Sequence, residues 1–206
     1  MKCWKSAAAG LLLALTAWAA QAAPVIEFAP RNQTVLLGDE AMVDIVVSDT
    51  GGLLIGVHDF FVNFNTSILS LADVVLGTAL GGPGDVLEDV VPGPGRVNVA
   101  VVSTLTDLTT FQTGTDSFVL FSLTFRTTAV GTSVLSFGEN ILGFAGGFLG
   151  DELGLGVQGV RTQAGSITVI SPNQGGSVPE PATAGLVLLA ALGALSASRR
   201  RPRASR

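Results

Sequence analysis

The stretch Ile55-Gly56-Val57-His58-Asp59-Phe60-Phe61-Val62-Asn63-Phe64-Asn65 decides the fold class. Phe60, Val62 and Phe64 alternate with Asp59, Phe61 and Asn63, the period of two of a β-strand with one buried face. Gly51-Gly52 stands before it as a break. Similar segments lie on both sides. Val25–Phe28 and Gln33–Leu37 come first, ending at Gly38-Asp39. Ala41–Ser48 sets Val43, Ile45 and Val47 on one face and Asp44 on the other. Ile68–Val75 is apolar, and Arg96–Ser103 alternates through Val97, Val99 and Val101. Ser117–Thr127 places Phe121, Leu123 and Phe125 on one face and Phe118, Leu120 and Thr124 on the other, which predicts a central strand. Ser133–Phe137, Gly143–Phe148, Val157–Thr162 and Ser166–Ile170 complete the series. Short runs of Val, Ile, Phe and Thr between Gly, Asp, Asn and Pro predict an all-β sandwich or barrel over residues 23–170.

The two ends of the chain read differently. Of 206 residues, 48% are hydrophobic and 13% charged, against about a quarter charged in an ordinary soluble domain. The apolar excess sits outside the strand region. Residues 1–22 read as a signal peptide. Lys2 and Lys5 supply the basic start, Ala7 to Ala20 the apolar run, and Ala20-Gln21-Ala22 a small-x-small cleavage site. Cys3, the chain's one cysteine, leaves with that segment. At the other end, residues 171–177 are a polar Gly/Ser/Pro linker. Ala182 to Ser198 then run 17 residues without a charge, enough at ~1.5 Å per residue to approach a bilayer's thickness. Arg199, Arg200 and Arg201 follow, with Arg203 and Arg206 behind them. This is the pattern of a stop-transfer helix (182–198) with an Arg-rich tail (199–206) held on the cytoplasmic side.

Val178-Pro179-Glu180-Pro181 stands just before that helix, and two prolines flanking a glutamate hold the backbone extended. Val-Pro-Glu-Pro, a short Gly/Ala/Leu-rich helix and an arginine cluster, in that order over residues 178–206, resemble the PEP-CTERM sorting signal. The resemblance implies an exported protein of a Gram-negative bacterium. Its partner would be an exosortase, a membrane-embedded cysteine transpeptidase. The precursor would be anchored in the inner membrane, and the product placed at the cell surface or in an exopolysaccharide or biofilm matrix. Val178, Pro179, Glu180 and Pro181 would be substrate features read by that enzyme. A plain single-span anchor is the alternative.

A second resemblance lies on the strand region. Val35-Leu36-Leu37-Gly38-Asp39, Val43 to Ser48, Gly56 to Asn65, Ile68-Leu69, Leu76-Gly77, Phe118 to Phe125 and Gly131-Thr132-Ser133 follow one another as in cohesin-like domains. These are jelly-roll β-sandwiches of about nine strands related to a group of carbohydrate-binding modules. The resemblance implies a non-catalytic binding or adhesion module. Phe64-Asn65-Thr66 stands where that family often has an aromatic-Asp-Pro step, so any role of that Asp is not carried over.

The residues themselves point away from catalysis. His58 is the one histidine, and it falls in a strand, where a surface or partly buried position is expected. No G-x-S-x-G elbow occurs. Lys2 and Lys5 are the chain's only lysines, so the exported part has none. A hydrolase is therefore the least favoured reading. Carbohydrate binding is a closer alternative, although Trp4 and Trp18 lie in the signal and the chain has no Tyr. Phe111, Phe144 and Phe148, flanked by Gly or Thr, are the aromatics expected at the surface. For calcium, Asp85, Glu88 and Asp89 in a Gly/Pro-rich loop and Asp151-Glu152 after Gly150 are candidate oxygen ligands. Solvated loop acids are the simpler reading, and no cofactor is expected. Asn65-Thr66-Ser67 fits a glycosylation sequon that bacterial export makes incidental.

The exported part, residues 23–177, carries 15 acids against 4 arginines, Arg31, Arg96, Arg126 and Arg161, a net charge of -11. That excludes a nucleic-acid partner and favours solubility.

Overall fold

In a computed structural model, residues 23–140 and 143–172 are described. They form a two-layer β-sandwich. In chain order the strands are β1 Val25–Ala29, β2 Asn32–Leu36, β3 Glu40–Ser48, β4 Ile55–Asn63, β5 Leu69–Leu76, β6 Val86–Gly93, β7 Arg96–Ser103, β8 Ser117–Thr127, β9 Gly131–Gly138, β10 Phe148–Asp151, β11 Arg161–Thr162 and β12 Gly165–Ile170. One short helix, α1 Thr109–Gln112, lies between β7 and β8. The five-stranded sheet has the order β11-β1-β3-β8-β5. The seven-stranded sheet has the order β2-β12-β9-β4-β7-β6, with β10 also paired to β4. This is the all-β sandwich that the period-two segments predict.

The alternation in the sequence becomes the core. Val43, Ile45 and Val47 of β3 are fully buried, as are Phe121, Leu123 and Phe125 of β8 and Val97 and Val99 of β7. Phe28 stacks on Phe137 at 4.6 Å between ring centres, and Phe64 meets Phe125 edge-on at 5.1 Å. Such pairs add about 1 kcal/mol each beyond their buried area. The chain passes from one sheet to the other at the cis Ala29–Pro30 bond. It runs as β1 beside β3 and then as β2 parallel to β12.

The structure corrects several expectations. Val86–Gly93 is strand β6, so Glu88 and Asp89 are strand residues and only Asp85 stands in the preceding turn. Strand β10 begins at Phe148, where Gly143–Phe148 was expected to be extended. Positive φ angles at Gly143, Gly146 and Gly147 turn that segment into a loop. Of Val157–Thr162 only Arg161–Thr162 pairs. The apolar residues on both faces of β8 have a local cause. The register with β3 shifts at Val46, opposite Val119, and turns Leu120 inward. Farther along, the outer face of β8 is polar, with Ser122, Thr124 and Arg126. β8 is nonetheless an interior strand, between β3 and β5.

The signal peptide (1–22) with Ala20 and Ala22, the sorting residues Val178 to Pro181, the helix 182–198 and Arg199, Arg200 and Arg201 lie outside the described residues. Among the described residues no helix is long and apolar enough to cross a membrane.

Candidate sheet-face binding site

β4, β7 and β6 pair in antiparallel register, and that register builds a surface. The pairs His58↔Val101, Phe60↔Val99 and Val62↔Val97 face the core. The alternate residues therefore face out. Leu87, Val102 and Val57 form one outward row across the three strands. Gly150 of β10 continues it beside Val57, and the exposed Leu153 and Leu155 follow in the next turn. The second row is Asp89, Ala100, Asp59 and Phe148, and the third is Val91, Asn98, Phe61 and Gly138. Strands stand about 4.8 Å apart and like-facing residues about 6.7 Å apart, so the face is roughly 15 Å wide. Its first row is apolar and its second is acidic.

The acidic row is braced. Asn98 Nδ2 donates to Asp59 Oδ1 at 2.6 Å and Asn140 Nδ2 to Asp59 Oδ2 at 3.2 Å. The Asn140 Oδ1 in turn accepts the Phe144 amide at 2.9 Å. This ties Asn140 and Phe144 to the sheet and places Phe144, about half exposed, 5.3 Å from Phe148. Gly147 allows that approach: its φ is +98°, and any Cβ there would collide with the Phe60 ring. Arg96 lies 5.2 Å from the centre of the Phe61 ring and covers it.

His58 is not at the surface. It is 1% exposed on the inner side of β4, stacked 5.5 Å from Phe121 and 5.9 Å from Phe60. The expectation of a surface or partly buried residue fails because strand parity places it with Phe60. Neither ring nitrogen has a hydrogen-bond partner. Burial pushes its pKa down to about 4, and the nearby Val99 backbone only weakly opposes the shift. The imidazole is neutral at pH 7 and remote from solvent.

The candidate calcium ligands are scattered. Glu88 and Asp89 point to opposite faces of β6. Asp85 Oδ2 accepts the Gly82 amide, and Asp151 Oδ1 accepts the Leu153 and Leu155 amides, so both carboxylates brace their own turns. Among the described residues no three His, Cys, Asp or Glu side chains gather as a metal-holding group. Phe111 and Phe144 are exposed as the sequence suggested, while Phe148 is half-buried. The outward residues of this face that the sequence does not reveal are Leu87, Val102 and Val57, since only the register aligns them in a row.

Comparison with known proteins covers both parts of the chain. Residues 177–201 match the PEP-CTERM protein-sorting motif, a mark of exported, membrane-anchored precursors in Gram-negative bacteria. No curated protein matches the sequence. Among solved structures, a type II cohesin domain from the cellulosome of Acetivibrio cellulolyticus matches with a TM-score of 0.58 at 16% identity, covering 70% of this chain and 94% of that one. The sixth cohesin of scaffoldin B from Acetivibrio cellulolyticus, solved in complex with a dockerin, matches at 0.56 and 16%, covering 72% and 100%. A non-cellulosomal cohesin of the archaeon Archaeoglobus fulgidus matches at 0.51 and 16%, covering 72% and 91%. At such identity the shared property is the fold. The chain therefore carries a PEP-CTERM sorting motif together with a β-sandwich of the cohesin fold.

Proposed function

We propose that the protein is a non-catalytic binding module of the cell envelope, delivered by its sorting motif and processed by an exosortase. Its partner is another envelope or matrix protein, held on the outward face of the seven-stranded sheet. The observation that carries this is the exposed apolar row. Leu87 is 67% exposed and Val102 40%, on a sheet whose other face is core. Solvent-facing apolar residues aligned across strands mark an interaction surface more than isolated ones do. The buried His58 removes the one imidazole from any surface chemistry.

Leu87→Lys with Val102→Lys should weaken retention of the full chain by envelope and matrix fractions at least tenfold, with the same far-UV circular dichroism. Unchanged retention would refute the assignment of this face. Processing has its own test. Glu180→Ala should leave full-length precursor in the membrane, and the intact mass of the wild-type product should lack Arg199–Arg206. A wild-type product that still includes the arginine tail would overturn exosortase processing.

A second reading, polysaccharide binding, rests on the Phe144–Phe148 pair beside the Asp59–Asn98–Asn140 cluster. It puts an aromatic surface next to polar groups, as sugars require. Calorimetry against the host's exopolysaccharide should then give a signal that Phe144→Ala removes. No heat with either protein rules this reading out.

A further inference from the structure

Strand β6 ends the seven-stranded sheet, and among the described residues it pairs with β7 alone. Its hydrogen-bonding phase follows from one contact. The Thr104 amide donates to the Asp85 carbonyl at 2.8 Å, so in the alternating antiparallel ladder Leu87, Asp89 and Val91 also exchange bonds with β7. The N–H and C=O groups of Val86, Glu88 and Val90 therefore point away from β7 along the free edge. Pro92 falls in the same phase, where an N–H is not needed by β7.

The neighbouring edge, β5 of the other sheet, is closed to an added strand. Its register slips at Ala72, and the Asp73 carboxylate takes the Val74 amide at 2.9 Å. A bulge is a recognised edge defence, and the carboxylate occupies an amide that an added strand would need. β6 has neither, since its register with β7 is unbroken for eight residues. Its side chains are exposed on both faces, with Val90 37%, Val91 51% and Leu87 67% accessible.

The side-chain order on β6 selects what can pair there. Val86-Leu87-Glu88-Asp89-Val90-Val91 gives apolar–acid–apolar on each face: Val86, Glu88, Val90 on one and Leu87, Asp89, Val91 on the other. No basic residue lies on the strand, and Arg96, opposite Gly93, is engaged over Phe61. A second copy is a poor occupant. Two-fold antiparallel pairing in phase sets Glu88 against its own copy when centred there. Centred on Asp89 it sets the two Asp89 side chains together, and like charges directly opposite destabilise a pair. Centred on Val90 it sets Glu88 against Pro92, which has no N–H to donate.

We infer that β6 is a strand-addition site for an extended segment of another protein that carries two adjacent basic residues between apolar pairs. Main-chain bonds to Val86, Glu88 and Val90 supply the attachment, and the two cations opposite Glu88 and Asp89 supply the selection. This site meets the sheet face proposed above at Leu87, Asp89 and Val91, but its attachment is through the backbone of the free edge.

The test uses the full chain in detergent solution and the peptide Thr-Val-Ile-Lys-Lys-Ile-Val-Thr. The amides of Val86, Glu88 and Val90 should exchange with solvent at least tenfold more slowly with peptide, while those of Leu87 and Asp89 do not change. Glu88→Lys with Asp89→Lys should lose this response and acquire it for the same peptide with two Glu in place of Lys. β4 amides report that the variant is folded. Unslowed exchange at the three amides overturns the inference, as does equal slowing by both peptides. Concentration-dependent slowing without peptide would identify a second copy as the occupant and equally overturn it. The peptide response is read on the wild-type sheet face and envelope retention is read without peptide, so failure of one site is distinguishable from failure of the other.

Discussion

Between pH 7 and pH 4 the folded domain is expected to lose about 3 kcal/mol through His58 alone. In the unfolded chain this imidazole titrates near 6.5, while in the core its pKa is about 4. The folded state therefore holds it neutral, and the unfolded state binds a proton first. The sign follows: stability is full above about pH 6.5 and falls by about 1.4 kcal/mol per unit as pH drops towards 4. The cause is physical confinement between Phe60 and Phe121, which strips the ring of water, while the nearby Val99 backbone offsets the loss only in part. A domain with a total of about 5–15 kcal/mol feels such a loss. His58→Leu should be at least as stable at pH 7, since it removes two unpaired ring nitrogens from the core. The difference in urea midpoint between the two proteins should be flat above pH 7 and widen steadily below pH 6.5. A constant difference across that range would show that His58 finds a proton acceptor or solvent.

Gln112→Leu is the second large effect, expected to cost about 3 kcal/mol despite keeping a similar volume. Gln112 is 3% exposed at the end of α1, a helix too short to hold itself. Its Oε1 accepts the Ile55 amide at 2.8 Å, and its Nε2 donates to the Ile55 carbonyl at 2.7 Å and to the Ala79 carbonyl at 3.0 Å. One side chain thus satisfies backbone groups at the start of β4 and in the β5–β6 connection. Leucine would leave those groups buried without this partner, and a buried orphan costs more than the bond itself contributes. Urea unfolding should show a lower midpoint with an unchanged slope. A midpoint equal to wild type would mean water replaces the side chain.

How much was legible in the sequence varied with how each element is buried. β3, β4 and β7 each have one face in the core, so alternation marked them and set their inward apolar residues correctly. β6 has no buried face. Val86-Leu87-Glu88-Asp89-Val90-Val91 consequently shows no alternation, and Gly81 to Gly84 before it and Pro92 to Gly95 after it read as loop. β10 is four residues amid glycines, too short for a period to register. His58 was misjudged because residue type was weighed above parity, although Phe60 two positions on already indicated the inner face. The sorting motif needs no fold, and its residues were readable as a linear string. The sheet-face site was not readable, because Leu87, Val102 and Val57 are aligned by register and not by spacing along the chain.

The parallel pairing of β2 with β12 bears on how the domain would carry a load. A pull on the chain beyond Ile170 acts along the axis of β12. That strand holds five register pairs with β2 and five with β9, and their bonds lie across the direction of tension. The strand resists in shear, with its bonds strained together rather than peeled one after another. If the domain were held by the chain beyond Ile170 and gripped on a sheet face, it would transmit force before it unravelled.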